Sequence, residues 1–302
     1  MGSAKNLEYK DNYVQSANSL FHFMKEERFL TKSIERGALV PRYCKEDIEY
    51  MNLKNPRGEI MKEMVVLQKC FCDIPFHKIS EKFAIEIVNE KEISEETTRK
   101  VDEREYNTHI GCYGEYGLVF SKEWCVTQGF QPVLYVNTES EYLQQLKDLF
   151  THIMSEDNIN DLFIDDLLRQ FAYIKPLQGI MKRKVDSETV ELKKNFHDEK
   201  EWRFIPSDIQ LKEKKLNKMA FSQGIVDNYN KISDNIEAPS YEALWLKFSY
   251  DDIKYIIVPN QIARINVIKF ILNMPGEKFL DEMQRNVLIS KIQVLDEIRK
   301  DW

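Results

Sequence analysis

Residues 196–206 read Phe-His-Asp-Glu-Lys-Glu-Trp-Arg-Phe-Ile-Pro. Charged and aromatic side chains alternate there with the period of a β-strand, in which successive side chains point to opposite faces. On that reading Glu199, Glu201 and Arg203 share one face, and Lys200, Trp202 and Phe204 the other. Trp and Phe would back the strand against a core. The Glu-x-Glu-x-Arg row would stand in front and present carboxylates. The plain alternative is structural, with Glu201 forming a salt bridge to Arg203 or Lys200 on a solvated strand.

Working outward, residues 19–24 (Ser-Leu-Phe-His-Phe-Met) form a short apolar strand that carries one imidazole, His22. A helix over 26–36 stops at Gly37, a natural C-terminal cap. Residues 65–73 read as a buried strand ended by Pro75, with Asp73 at its end. A polar residue there lines a cleft or caps a turn, and the sequence leaves both open. Residues 113–120 and 132–137 give two more strands. Residues 138–154 give a helix with Thr138 and Glu141 as its capping box, and 159–173 give a second helix. Two further strands cover 244–248 and 253–258. The chain thus reads as a single α+β domain over 1–302. Residues 77–108 are charged and poor in large apolar groups, which predicts a mobile insertion. Residues 260–302 predict a helical C-terminal tail.

Composition narrows the function classes. The chain has 302 residues, 43% hydrophobic and 31% charged, as an ordinary globular protein does. Only 10 are Gly, which argues against glycine-rich nucleotide loops. A net charge of −7 does not attract nucleic acid, although it does not exclude one as an acceptor. The clusters Lys182-Arg183-Lys184 and 212–218 read as solvated faces. Five cysteines with no metal-ligand spacing fit a reducing compartment and give no metal site. No apolar run reaches the ~20 residues that cross a bilayer, so the expected location is the cytoplasm.

Several of these motifs also resemble a known family. His22 in Leu-Phe-His-Phe, Cys70-Phe-Cys-Asp-Ile-Pro75, Tyr113-Gly-Glu-Tyr-Gly-Leu118 with Lys122-Glu-Trp124, Pro132-Val-Leu-Tyr135 and Asp198-Glu-Lys-Glu-Trp-Arg203 are similar, in order, to AbiGi. AbiGi proteins are bacterial abortive-infection (phage-resistance) proteins, often labelled as candidate antitoxins. The resemblance runs from about residue 18 to 260. More distantly, the order of elements resembles ADP-ribosyltransferase-like folds of the DarT type, which split two small sheets around a cleft for NAD.

That second resemblance implies roles. His22 would contact the adenosine-side ribose of NAD and Glu201 would meet the nicotinamide ribose, with Glu199 as the additional acid two positions earlier. Tyr113 or Tyr116 would stack on nicotinamide, and Arg42 would contact phosphate. Asp73, at its strand end, joins this cofactor-binding set. The Ser-Thr-Ser motif of one transferase class is absent, which leaves the His-Tyr-Glu type nearer. Transfer from NAD builds positive charge on the ribose, as glycoside hydrolysis does, and a fixed carboxylate stabilises it. The resemblance therefore implies an NAD-using toxin or effector of phage defence. The alternative is a non-catalytic antitoxin or sensor that binds a protein partner: a toxin, an antitoxin or a phage trigger. A third reading, a magnesium nuclease, would draw on Asp165 and Asp166 or on Glu199 and Glu201.

Overall fold

The computed structural model describes residues 17–54, 58–103, 105–155, 169–221 and 223–301. The chain starts its sheet with β1 (Ser19–Met24), passes through the helix Glu27–Arg36, and returns in β2 (Ala38–Leu39) and β3 (Arg42–Asp47). The long β4 (Glu63–Cys72) follows, then β5 (Ile85–Ile87) and the helices Glu95–Glu103 and His109–Tyr113. Next come β6 (Tyr116–Ser121), the helix Lys122–Thr127, β7 (Gln131–Pro132), β8 (Leu134–Val136) and the helix Glu141–Ser155. β9 (Ile174–Pro176) leads into the hairpin of β10 (Gln178–Val185) and β11 (Glu188–Asn195), and then into β12 (Glu201–Phe204). The helix Asp208–Glu213, β13 (Met219–Ala220) and the helix Gln223–Ile236 precede β14 (Leu246–Lys247) and β15 (Ile253–Val258). The helices Gln261–Asn273 and Glu282–Ser290, β16 (Ile292–Val294) and the helix Leu295–Asp301 follow.

One sheet organises these elements, with strand order β16-β15-β6-β1-β4-β12-β7. Its pairs are antiparallel apart from β15 with β16. β4 holds it together. Its first half pairs with β3 on one edge and β13 on the other, and its second half with β1 and β12. The two sheets expected to split around a cleft are therefore joined through a shared strand. A separate three-stranded sheet has the order β10-β11-β5.

The sheet is apolar on both faces, as a sheet covered on both sides must be. Leu20, Leu118, Phe120, Ile256 and Val258 pack against Leu30, Ile34, Val267, Ile271 and Leu288 of the flanking helices. On the opposite face Phe21, Phe23, Val119 and Ile257 meet Ile110, Ile79 and Leu295. The period-2 pattern of β1 thus sends Leu20, His22 and Met24 one way and Phe21 and Phe23 the other.

Several sequence expectations meet their strands and helices closely. The strands 19–24 and 253–258 are β1 and β15, and Gly37 closes the first helix in the left-handed conformation, φ 60°. Others change. The 260–302 tail is helical in part, but β16 lies within it and completes the main sheet as a parallel neighbour of β15. The 77–108 insertion contributes β5 to the small sheet, and its Val101 and Tyr106 are core residues with Val185, Val190 and Leu192. Residues 207–241, which show little period in sequence, form two helices, the first with a Ser207–Gln210 capping box. The helix expected from 138 begins at Glu141, where the Ser140 hydroxyl, not Thr138, accepts the Leu143 N–H. Most of the helix expected over 159–173 lies outside the described residues, and 169–173 is a 3-10 turn.

Gly114 is the tightest backbone site. It follows the helix His109–Tyr113 with φ 116° and ψ 164°, a region open essentially to Gly. A Cβ there would stand 2.1 Å from the Met24 carbonyl oxygen. Gly114→Ala should therefore cost about 3 kcal/mol or more. Thermal unfolding should show a drop of at least about 5 °C, and an unchanged Tm would mean that β1 and this turn can separate freely.

Candidate functional site

The stretch 196–206 reaches its conformation in two steps. Residues Phe196–Glu199 form a 3-10 turn in which the Asn195 side chain accepts the His197 N–H. Lys200 then takes a left-handed φ of 43°, and its carbonyl accepts the Asp73 N–H at 3.0 Å. The strand begins only at Glu201. Alternation holds within it: Glu201 and Arg203 are buried, while Trp202 and Phe204 are half-buried against the main core. Glu199 reaches the same side by the turn, not by strand periodicity, which corrects the expected single strand.

The three side chains lie in an alternating chain of buried charges. Lys194 Nζ is 2.9 Å from Glu199 Oε1, and Lys175 Nζ is 2.7 Å from Glu199 Oε2. Lys175 also lies 3.0 Å from Glu201 Oε2. Arg203 donates from Nε to Glu201 Oε1 at 2.8 Å, and from Nη2 to Glu46 Oε1 at 2.8 Å. Its Nη1 donates to the Ala172 carbonyl at 2.6 Å. Gln68 Nε2 donates to the same Glu46 oxygen at 2.9 Å. Three cations thus alternate with three carboxylates. Arg203 and Lys194 have side chains 0% exposed.

Aromatic rings seal the chain. The Tyr113 hydroxyl donates to Glu199 and accepts from Lys194. Phe83 covers Lys194 at 4.4 Å and Phe196 covers Lys175 at 4.6 Å. The Tyr135 hydroxyl accepts the Glu201 N–H at 2.8 Å. Burial alone would raise the Glu199 carboxyl, but Lys175 and then Lys194 reverse this and hold it well below the usual carboxylate range. Burial likewise opposes the charge on Glu201, and Arg203 followed by Lys175 brings its pKa down to about 2. Both acids are therefore ionised and already compensated.

His22 lies elsewhere. Cross-strand partners share a face, and the row Phe21–Cys72–Glu201 puts Glu201 on the face of Phe21. His22 points to the other face, with its ring 5.2 Å from Phe71. Its Nδ1 lies 2.8 Å from the Cys70 carbonyl. A carbonyl only accepts, so Nδ1 carries the proton. Burial first, and then Lys69, lower the His22 pKa to about 3. The expected meeting of His22 and Glu201 around one pocket is thus corrected by the sheet register.

The other expected site residues divide. Tyr113 joins Glu199 and Glu201. Arg42 pairs with Asp234 at 2.8 Å and Glu237 at 3.4 Å. Asp73 accepts from buried Lys122 at 2.6 Å and from the Ala17 N–H at 3.1 Å, which ties down the start of β1. Tyr116 starts β6 and packs on the main core. Asp165 and Asp166 lie outside the described residues. Among the described residues no group of three or more His, Cys, Asp or Glu side chains could hold a metal ion. A cavity of about 460 Å3 lies in the insertion, lined by Lys82, Phe83, Val101, Asp102, Tyr106 and Asn107 among others; His22, Glu199 and Glu201 do not line it. Sequence reasoning missed Lys175, Lys194 and Glu46. Lys194 had a legible signal, because it continues the inward register of Val190 and Leu192 in β11.

Lys194→Met leaves Glu199 short of a partner, and should cost about 3–5 kcal/mol in urea unfolding. Adding Glu199→Gln should recover part of that loss, and additive losses would show that the two side chains are not coupled. The buried histidines set a pH dependence. Burial first, then Lys194, lower the His109 pKa to about 4. Both histidines have folded values below the unfolded value of about 6.5. Their stabilisation is complete above pH ~6.5 and falls as pH drops toward about 4 and about 3, by about 1.4 kcal/mol per unit for each. The Glu199 and Glu201 contribution is present above pH ~4.3 and is lost below it. His109→Gln should reduce the slope of the stability profile between pH 6.5 and 4 by about 1.4 kcal/mol per pH unit, leaving the His22 share, and an unaltered slope would show that His109 is not held neutral.

Comparison with known proteins bears on most of the chain. Residues 100–259 match the model of the AbiGi family, described as a candidate abortive phage resistance protein and antitoxin. Abortive phage resistance protein AbiGi of Lactococcus lactis subsp. cremoris is 31% identical over 275 residues, which cover 88% of this chain and 100% of that relative. No solved structure matches. Through the family model and the lactococcal relative alike, the chain belongs to the AbiGi family of abortive phage resistance proteins.

Proposed function

We propose that this protein acts in abortive phage resistance as a non-catalytic antitoxin-type module that binds a protein partner. One observation carries the choice. Glu201, the acid expected to stabilise a ribosyl cation, has both oxygens engaged by Arg203 and Lys175 within the fold. A carboxylate already neutralised by two buried cations has little field left for a positive transition state. Glu199 is compensated likewise by Lys175 and Lys194. The family description as an antitoxin supports the same reading.

A second reading keeps the NAD-using transferase. It is favoured by the convergence of Tyr113, Glu199 and Glu201, three of the residues that the ADP-ribosyltransferase resemblance assigns. It requires Lys175 to swing away from both acids when NAD enters.

Three measurements separate the readings: NAD consumption by purified protein, recovery of a partner from phage-infected cells, and phage plating with Glu201→Gln, whose fold is checked by circular dichroism. The module reading expects no NAD loss, a stoichiometric protein partner, and protection that follows the folded fraction of the variant. NAD turnover by the wild type that a folded Glu201→Gln lacks would establish the transferase instead.

A further inference from the structure

Among the described residues, strand β10 has one edge without a pairing strand. All eight of its residues pair with β11, from Gln178 with Asn195 to Val185 with Glu188. It ends the order β10-β11-β5, so among the described residues no strand pairs with its other edge. An edge of that length presents a row of free N–H and C=O groups to any extended chain.

The side chains along this edge have one sign. Lys182, Arg183 and Lys184 are consecutive, in a protein of net charge −7. Lys182 is 61% exposed and has one long ion pair, 3.4 Å, with Glu191 on the neighbouring strand. Neither Arg183 nor Lys184 has a carboxylate partner among the described residues. Arg183 is half-buried, and its guanidinium lies 5.5 Å from the centre of the Tyr113 ring. Its Nε is sealed from solvent with no hydrogen-bond partner among the described residues. Charged residues also guard edges against self-pairing, and Lys182 and Lys184 are suited to that. A guard has no use for an inward arginine whose Nε lacks an acceptor.

We infer that the free edge of β10 is the docking site for an extended acidic segment of the protein partner, which adds to the small sheet as a fourth strand. This rests on the binding-module reading and specifies its surface and the chemistry of its partner. Main-chain hydrogen bonds supply the pairing, as in other cases of strand addition. Alternation decides the rest. Lys182 and Lys184 project from one face of β10, and Arg183 from the other. A partner strand with acids on both faces opposes all three cations, and cross-strand pairs of opposite charge favour that register. Ile180, 40% exposed on the Lys182 face, offers an apolar contact next to them.

The test uses the full chain and a fluorescein-labelled ten-residue peptide, Val-Thr-Val-Glu-Glu-Glu-Val-Thr-Val-Thr, whose consecutive acids fall on both strand faces, followed by fluorescence polarisation. Binding should tighten as salt is lowered. The Lys182→Glu/Lys184→Glu variant, altered only at exposed positions, should bind at least tenfold more weakly. A peptide N-methylated at alternate amides should lose binding, because it cannot form the ladder. Amide hydrogen exchange should slow within residues 178–185 of the wild type. No binding by the wild type, or equal binding of the methylated peptide, overturns the edge site. The partner recovered from infected cells answers separately. Undiminished capture by the variant sinks the edge site and leaves the module standing, whereas peptide binding with no partner recovered by the wild type sinks the module.

Discussion

The structure depends on the balance of charge around Arg203. Its guanidinium is fully buried, so each of its donors needs an acceptor inside the fold. Glu201 comes from its own strand, Glu46 from β3, and the Ala172 carbonyl from the turn before β9. Those three groups lie far apart in sequence and have to be brought within hydrogen-bond reach of one side chain. Lys175 and Lys194 extend the same condition to β9 and β11. The central sheet, the small sheet and the segment before β9 are thereby fixed against one another by electrostatics as much as by apolar contact. A buried ionic chain is a weak source of net stability but a strict selector of geometry, since an arrangement that leaves one member unpaired is heavily penalised.

This explains why the two acids that look catalytic in sequence have so little freedom. Two carboxylates two residues apart, close to a tyrosine, satisfy a motif. The same motif arises when an alternating charge chain crosses a sheet. What separates the cases is the location of the cations, and Lys175 and Lys194 come from strands that the motif does not include. The histidine tells the same story from the other side. His22 fills space beside Phe71 where β1 and β4 pair only at Phe21 and Cys72. A neutral ring that donates to the Cys70 carbonyl satisfies the backbone there.

Much of the architecture was legible in sequence. β1 and β15 are short apolar runs of β-branched, aromatic and unbranched residues with clear ends, and Gly37 marks a helix end through its backbone freedom. The hairpin of β10 and β11 was not seen, because Lys182-Arg183-Lys184 has the composition of a solvated run and its alternation appears only beside β11. β16 is three residues long between helices, too short for any period to show. The candidate site was half legible. Glu201 and Arg203 were correctly placed on one face, whereas the Tyr113 contact with Glu199 is visible only in the structure. The face of His22 was set by register between β1, β4 and β12, which no single-strand pattern encodes.

The parallel neighbour of β15 has a consequence for how the chain is made. Among the described residues, 292–294 form the outermost strand on that side of the central sheet, so the edge of β15 stays open until those residues, made well after β15 itself, have left the ribosome. Until then the nascent protein carries a sticky, unfinished sheet, when unpaired edges are most exposed to wrong partners. A nonsense mutation between β15 and β16 would leave that edge permanently unpaired and the chain prone to clump.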